Sequence, residues 1–170
     1  VDVSAASITA TNAVGALTLR GSVNRLSATG GDLRLLNVDS SSALTLEAAP
    51  SDAISVQTYV GGGDITVEDS NVTTFAGDVS AGEVTINDTT TSVVFDSNAT
   101  ISSFTARAGG YALNFLGDQT TIASTASFAN TGGLTLGNGA GDVILFNSGV
   151  SATAGQSTLF GSIRSSGDIM

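Results

Sequence analysis

Four aspartates carry most of the chemistry this chain could offer. Asp32, Asp64, Asp142 and Asp168 each follow a glycine and stand directly before an apolar run. If successive turns of the chain align, such carboxylates gather on one side and supply the hard oxygen ligands a divalent cation needs. Their plainer role is to cap turns by accepting backbone N–H groups, and that is the role expected here. Asp142, Asp64 and Asp32 are the candidate metal ligands, with calcium as the ion. No residue is identified as catalytic or cofactor-binding.

Gly137-Asn138-Gly139-Ala140-Gly141-Asp142 is similar to the calcium-binding nonapeptide, but Asn138 and Ala140 depart from it and no tandem copy follows. Adjacent copies are required to close an oxygen cage, so a structural corner is the expected reading. Glu68-Asp69 and Asn87-Asp88 are the places where acid–base work on a carbohydrate could start, and Arg107 or Arg34 could act as a base. A glycosidase requires two carboxylates at a set separation across the bound sugar; solvated strand-end charge is the ordinary explanation. Tyr59 and Tyr111 could stack on a glycan, although each falls where core or corner packing is expected. Asn71-Val72-Thr73, Asn87-Asp88-Thr89 and Asn98-Ala99-Thr100 fit the glycosylation pattern, which arises readily by chance in so Asn- and Thr-rich a chain.

Composition narrows the field. The 170 residues contain no His and no Cys, so thiolate and imidazole metal sites and Ser–His–Asp or Cys–His catalysis are excluded. There is no Lys; five arginines (Arg20, Arg25, Arg34, Arg107, Arg164) face 15 acids, for a net charge of −10. That balance argues against nucleic acid and against anionic membrane surfaces as partners. No apolar run reaches the 18 or so residues of a membrane helix, so no membrane insertion is expected. The 41% apolar share is too high for a disordered chain.

The elements that must position these residues are strands. Short apolar–polar–apolar units recur: Leu17-Thr18-Leu19, Leu33-Arg34-Leu35, Leu44-Thr45-Leu46, Ile65-Thr66-Val67, Val84-Thr85-Ile86, Leu113-Asn114-Phe115 and Leu134-Thr135-Leu136. Each turns two apolar side chains inward and one polar side chain outward. Gly, Ser, Thr and Asn interrupt every candidate helix. Three short strands and Gly-bearing turns repeat at a loose spacing of some 20–30 residues, for example from Val72 to Ile101 and from Leu113 to Leu134. This is the pattern of an all-β fold, a parallel β-helix or β-solenoid of about seven coils, one segment spanning residues 1–170. At about 4.8 Å per coil it forms a rod roughly 30–35 Å long. Ser166-Gly167-Asp168-Ile169-Met170 restarts the Gly-Asp-apolar motif, which suggests a segment cut from a longer repetitive chain.

The stretch Phe128 to Phe146, with Ser157-Thr158-Leu159-Phe160-Gly161-Ser162-Ile163 beyond it, resembles repeats of large bacterial exoproteins such as filamentous haemagglutinin and autotransporter passengers. The resemblance implies a right-handed β-helix, export, and display at the bacterial cell surface as an adhesin stalk or matrix filament. It implies no catalytic residue. The expected function is thus a structural or adhesive extracellular module rather than an enzyme. Its expected partners are copies of itself stacked head-to-tail, and host or matrix glycans or proteins. The alternatives are a calcium-dependent surface-layer or repeat module and a polysaccharide-active β-helix enzyme.

Overall fold

A three-residue strand with two inward apolar side chains buries too little to stand alone, and must lie against an equivalent strand of the next turn. The structure, a computed structural model, describes residues 2–5, 8–10, 17–19, 23–153 and 155–170; Arg20 lies outside them. Among the described residues the regular elements are all strands, and each pairs in parallel with its counterpart one turn away. No helix long and apolar enough to cross a membrane is found among them. The fold is a β-solenoid of about seven turns.

The coil has three faces. The first runs through Asp2–Ala5, Val23–Ala28, Ala43–Ala48 and Ile65–Asp69 to Ala126–Phe128 and Val150–Ala152. The second runs from Ile8–Ala10 through Val72–Phe75, Ser92–Phe95, Ala112–Phe115 and Leu134–Leu136 to Ser157–Leu159. The third links Leu17–Leu19 to Gln119–Ile122, Val143–Phe146 and Ser162–Ser165. Four eight-residue strands bend around a corner and serve two faces: Leu33–Ser40 and Ala53–Val60 join the second to the third, while Val79–Ile86 and Ala99–Ala106 join the third to the first.

One turn takes from 19 residues, between paired Ile65 and Val84, to 25, between paired Ile8 and Leu33. The looser spacing drawn from Val72 to Ile101 joins two different faces: Val72 pairs with Ser92, and Ile101 with Ala81 and Ile122. The apolar–polar–apolar units do stack in register, but as three separate sets. Leu44-Thr45-Leu46, Ile65-Thr66-Val67 and Val84-Thr85-Ile86 lie over one another on the first face. Leu113-Asn114-Phe115 and Leu134-Thr135-Leu136 do so on the second, and Leu17-Thr18-Leu19 belongs to the third.

The interior is a column of Leu, Ile, Val and Phe. Phe75, Phe95 and Phe115 stack face to face on consecutive coils, with centroids 4.7 and 4.6 Å apart. That separation is the inter-strand spacing itself, so the ladder sets the ring geometry. Phe104 meets Phe95 and Phe115 edge-on from the first face, closing the column across the coil. At the corners the backbone turns sharply: Gly61 has φ +110°, and a Cβ there would lie 2.6 Å from the Ser40 carbonyl oxygen of the coil below. Only glycine fits such a position.

Candidate functional site

A strand that leaves one face and enters the next must pass a corner, where ladder bonding lapses and backbone N–H groups lose their partners. Residues with short polar side chains at those corners are placed to accept them. Asp32 sits between the first and second faces, Asp142 between the second and third, and Asp64 and Asp168 between the third and first. The four carboxylates therefore do not gather on one side. Asp64 and Asp168, the two that share an edge, are separated by five coil steps, about 24 Å at the usual strand spacing.

Each of the three candidate ligands is engaged with backbone. Asp32 accepts the Ala53 N–H of the next coil at 2.9 Å and pairs with Arg34 at 2.6 Å. The Ala53 N–H first, and the Arg34 guanidinium second, hold its carboxyl below the ordinary value. Asp64 accepts the Glu83 N–H at 2.7 Å. Asp142 is buried, and one oxygen accepts both the Asn138 N–H at 2.6 Å and the Gly139 N–H at 2.9 Å. The glycine-rich loop thus closes on its own carboxylate. Among the described residues no group of three or more Asp or Glu side chains converges as a metal cage would require.

The corner device is broader than the Gly-Asp motif suggests. Asp78 accepts the Asn98 N–H at 3.2 Å and the Ser97 hydroxyl at 2.6 Å, and Asn98 in turn accepts the Gln119 N–H at 2.9 Å. These residues stand at intervals of one turn in a chain of clips along a single edge. The one-turn spacing of Asp78 and Asn98 was the available signal. Inside the coil, Ser70 bridges Thr73 at 2.9 Å and Thr89 at 3.0 Å, a buried hydroxyl cluster that the polar letters alone do not reveal.

Other expected site residues fall into two groups. Tyr59 and Tyr111 are both fully buried, so neither ring faces a ligand. The Tyr59 hydroxyl donates to the Ser40 carbonyl at 3.2 Å and burial pushes it up to about 12; Tyr111 donates to the Arg107 carbonyl at 2.8 Å and burial raises it as well. By contrast, Glu68, Asn87 and Arg107 come together. With Asp64, Thr66, Glu83 and Thr85 they line a shallow open groove of about 330 Å3 on the first face. Within it Asn87 donates to Glu68 at 2.8 Å and the Thr85 hydroxyl to Glu83 at 3.2 Å.

Asp69 and Asp88 lie toward the neighbouring corner; burial first, and then the charges of Asp88 and Glu47, raise the Asp69 carboxyl. Arg34 is held by Asp32 on the second face, away from the groove. Of the three sequon asparagines, Asn71 accepts the Thr91 hydroxyl at 2.7 Å, Asn87 binds Glu68, and Asn98 clips the next coil.

No family model, no curated protein and no solved structure matches this chain. The likeness to bacterial exoprotein repeats therefore rests on residue pattern and on the solenoid architecture alone.

Proposed function

We propose that this chain is a structural and adhesive module of an extracellular bacterial surface protein, not an enzyme. One observation carries the reading: three parallel ladders run from coil to coil around a continuous apolar column, and the corner carboxylates are spent fastening one coil to the next. Such an object resists bending and holds a long, Ser/Thr-rich acidic surface at a fixed geometry. Its partners are copies of itself and the glycans or proteins of a host or matrix. The solenoid architecture supports the resemblance to filamentous haemagglutinin and autotransporter passengers, in which the same role is expected.

The test is a binding screen of the folded protein against immobilised matrix proteins and glycans, with the heat-unfolded protein alongside. Saturable binding by the folded rod alone, with no new reducing ends released from the glycans, is the expected result. Steady glycan cleavage that tracks Glu68, Glu83 or Arg107 substitutions would replace this reading with the enzymatic one.

A further inference from the structure

Of the ten asparagines, only Asn138 is followed by glycine. An asparagine side-chain carbonyl is an electrophile for the backbone nitrogen of the next residue, and glycine, with no Cβ, leaves that nitrogen uncrowded. Asn138 stands at the corner between the second and third faces and is exposed. Its side-chain amide makes no hydrogen bond among the described residues. Asn37, Asn71, Asn87, Asn98 and Asn130 differ: each has a side-chain hydrogen bond that fixes it. Asn147 is exposed as well, but the Cβ of Ser148 crowds the nitrogen that would attack.

The attacking nitrogen already has a base beside it. The Gly139 N–H donates to Asp142 Oδ2 at 2.9 Å, and the Asn138 N–H donates to the same oxygen at 2.6 Å. A nucleophile within hydrogen-bond reach of a base that a third group orients is the arrangement nucleophilic chemistry needs. Asp142 is only 4% exposed and its backbone is fixed: its carbonyl accepts the Ser162 N–H at 2.7 Å, and its own N–H donates to the Gly139 carbonyl at 3.3 Å. The loop is anchored on both sides, by the Gly137 N–H on the Phe115 carbonyl and the Val143 N–H on the Asp118 carbonyl. Base and nucleophile are thus held in place, while the electrophilic side chain is free to turn onto the nitrogen.

We propose that Asn138 is a site of self-catalysed deamidation, with Asp142 as its general base. Asp142 Oδ2 takes the Gly139 amide proton as that nitrogen bonds to Asn138 Cγ. The Cγ–Nδ2 bond breaks and the proton passes to the departing nitrogen. Ammonia leaves, a five-membered succinimide remains, and the Asp142 carboxylate is regenerated. Water from solvent, which this exposed loop admits, then adds to either ring carbonyl and reopens the ring. One opening leaves aspartate at position 138, the other a β-linked isoaspartate. Either product sets a second carboxylate four residues from Asp142, and the β-linkage adds a backbone methylene that draws the Gly139 N–H off its acceptor. The inference stands apart from the adhesive role above, because it concerns how one corner of the folded rod ages.

Timed incubation of the folded chain at neutral pH, followed by digestion and mass spectrometry, provides the test. The readout is the mass gain of one NH2 exchanged for OH in the peptide bearing residue 138, with its isoaspartyl form resolved by chromatography. A synthetic peptide covering residues 134–146 gives the rate without the fold. Asn138 in the folded chain is expected to convert faster than in that peptide. Asp142→Asn keeps an oxygen for both N–H groups but takes no proton; circular dichroism and melting confirm that it folds. Its conversion is expected to fall about a hundredfold, the lower end of what a positioned general base supplies. A folded wild-type chain that converts no faster than the peptide, or a folded Asp142→Asn variant that converts as fast as wild type, overturns the proposal. Should the variant not fold, the wild-type comparison with the peptide decides by itself.

Discussion

Asp142 shows how much one side chain can do at a corner. Its buried oxygen gathers two N–H groups of the Gly137–Asp142 loop, and hydrogen bonds to a charged acceptor are worth about 1.5–3 kcal/mol net. Asp142→Ala is expected to cost about 2–3 kcal/mol in urea unfolding, and the wild-type melting temperature is expected to be the same in calcium and in chelator. A clear calcium-dependent rise would restore the cation reading of this loop.

Asp32 makes a pH-dependent contribution. Its carboxyl titrates below the ordinary 3.8, so its stabilisation is present above that value and is lost as pH falls through the lowered one. Asp32→Asn is therefore expected to lower stability at neutral pH and to flatten the loss below pH 3.8, as followed by unfolding at stepped pH. Asp69 behaves oppositely. Its raised carboxyl opposes folding at neutral pH, and that cost is relieved on acidification.

At the scale of the strand, the aromatic stack is where packing is densest in consequence. Phe95 touches Phe75, Phe104 and Phe115, and its ring has no exposed surface to relax into. Phe95→Ala is expected to cost about 3–5 kcal/mol by chemical denaturation. The strands themselves were legible, because alternation over three residues names both the strand and its inward side. Which face a triplet joins was not, since Leu44-Thr45-Leu46 and Leu134-Thr135-Leu136 carry no mark of the corner they follow. Thr73 and Thr120 break the apolar rule outright by pointing hydroxyls inward: Thr73 is rescued by Ser70, whereas the Thr120 hydroxyl has no partner in the structure. The site was half legible for a related reason. Sequence places an aspartate before a strand, but its acceptor duty lies one turn away, at Ala53 for Asp32 and at Glu83 for Asp64.

For the molecule as a whole, every strand ladder joins a coil to the coils before and after it, so the repeat is a modular length of chain. Ser92 pairs with Ala112 one turn on, which makes residues 92–111 an excisable unit. Joining Thr91 to Ala112 is expected to leave a folded solenoid one turn shorter, with unchanged β-type circular dichroism and a modestly lower melting point. Removing half as many residues shifts one face onto another and is expected to abolish cooperative unfolding.

The advance of 19–25 residues per turn also dictates how the molecule yields to tension. Pulled by its two termini, it is held by ladders that join one coil to the next, and it comes apart as thread leaves a spool. An optical trap should record a series of small, evenly sized rips, each releasing about 70 Å of chain at roughly 3.5 Å per residue. The rip that frees Ile8 to Leu33 should be the longest of them.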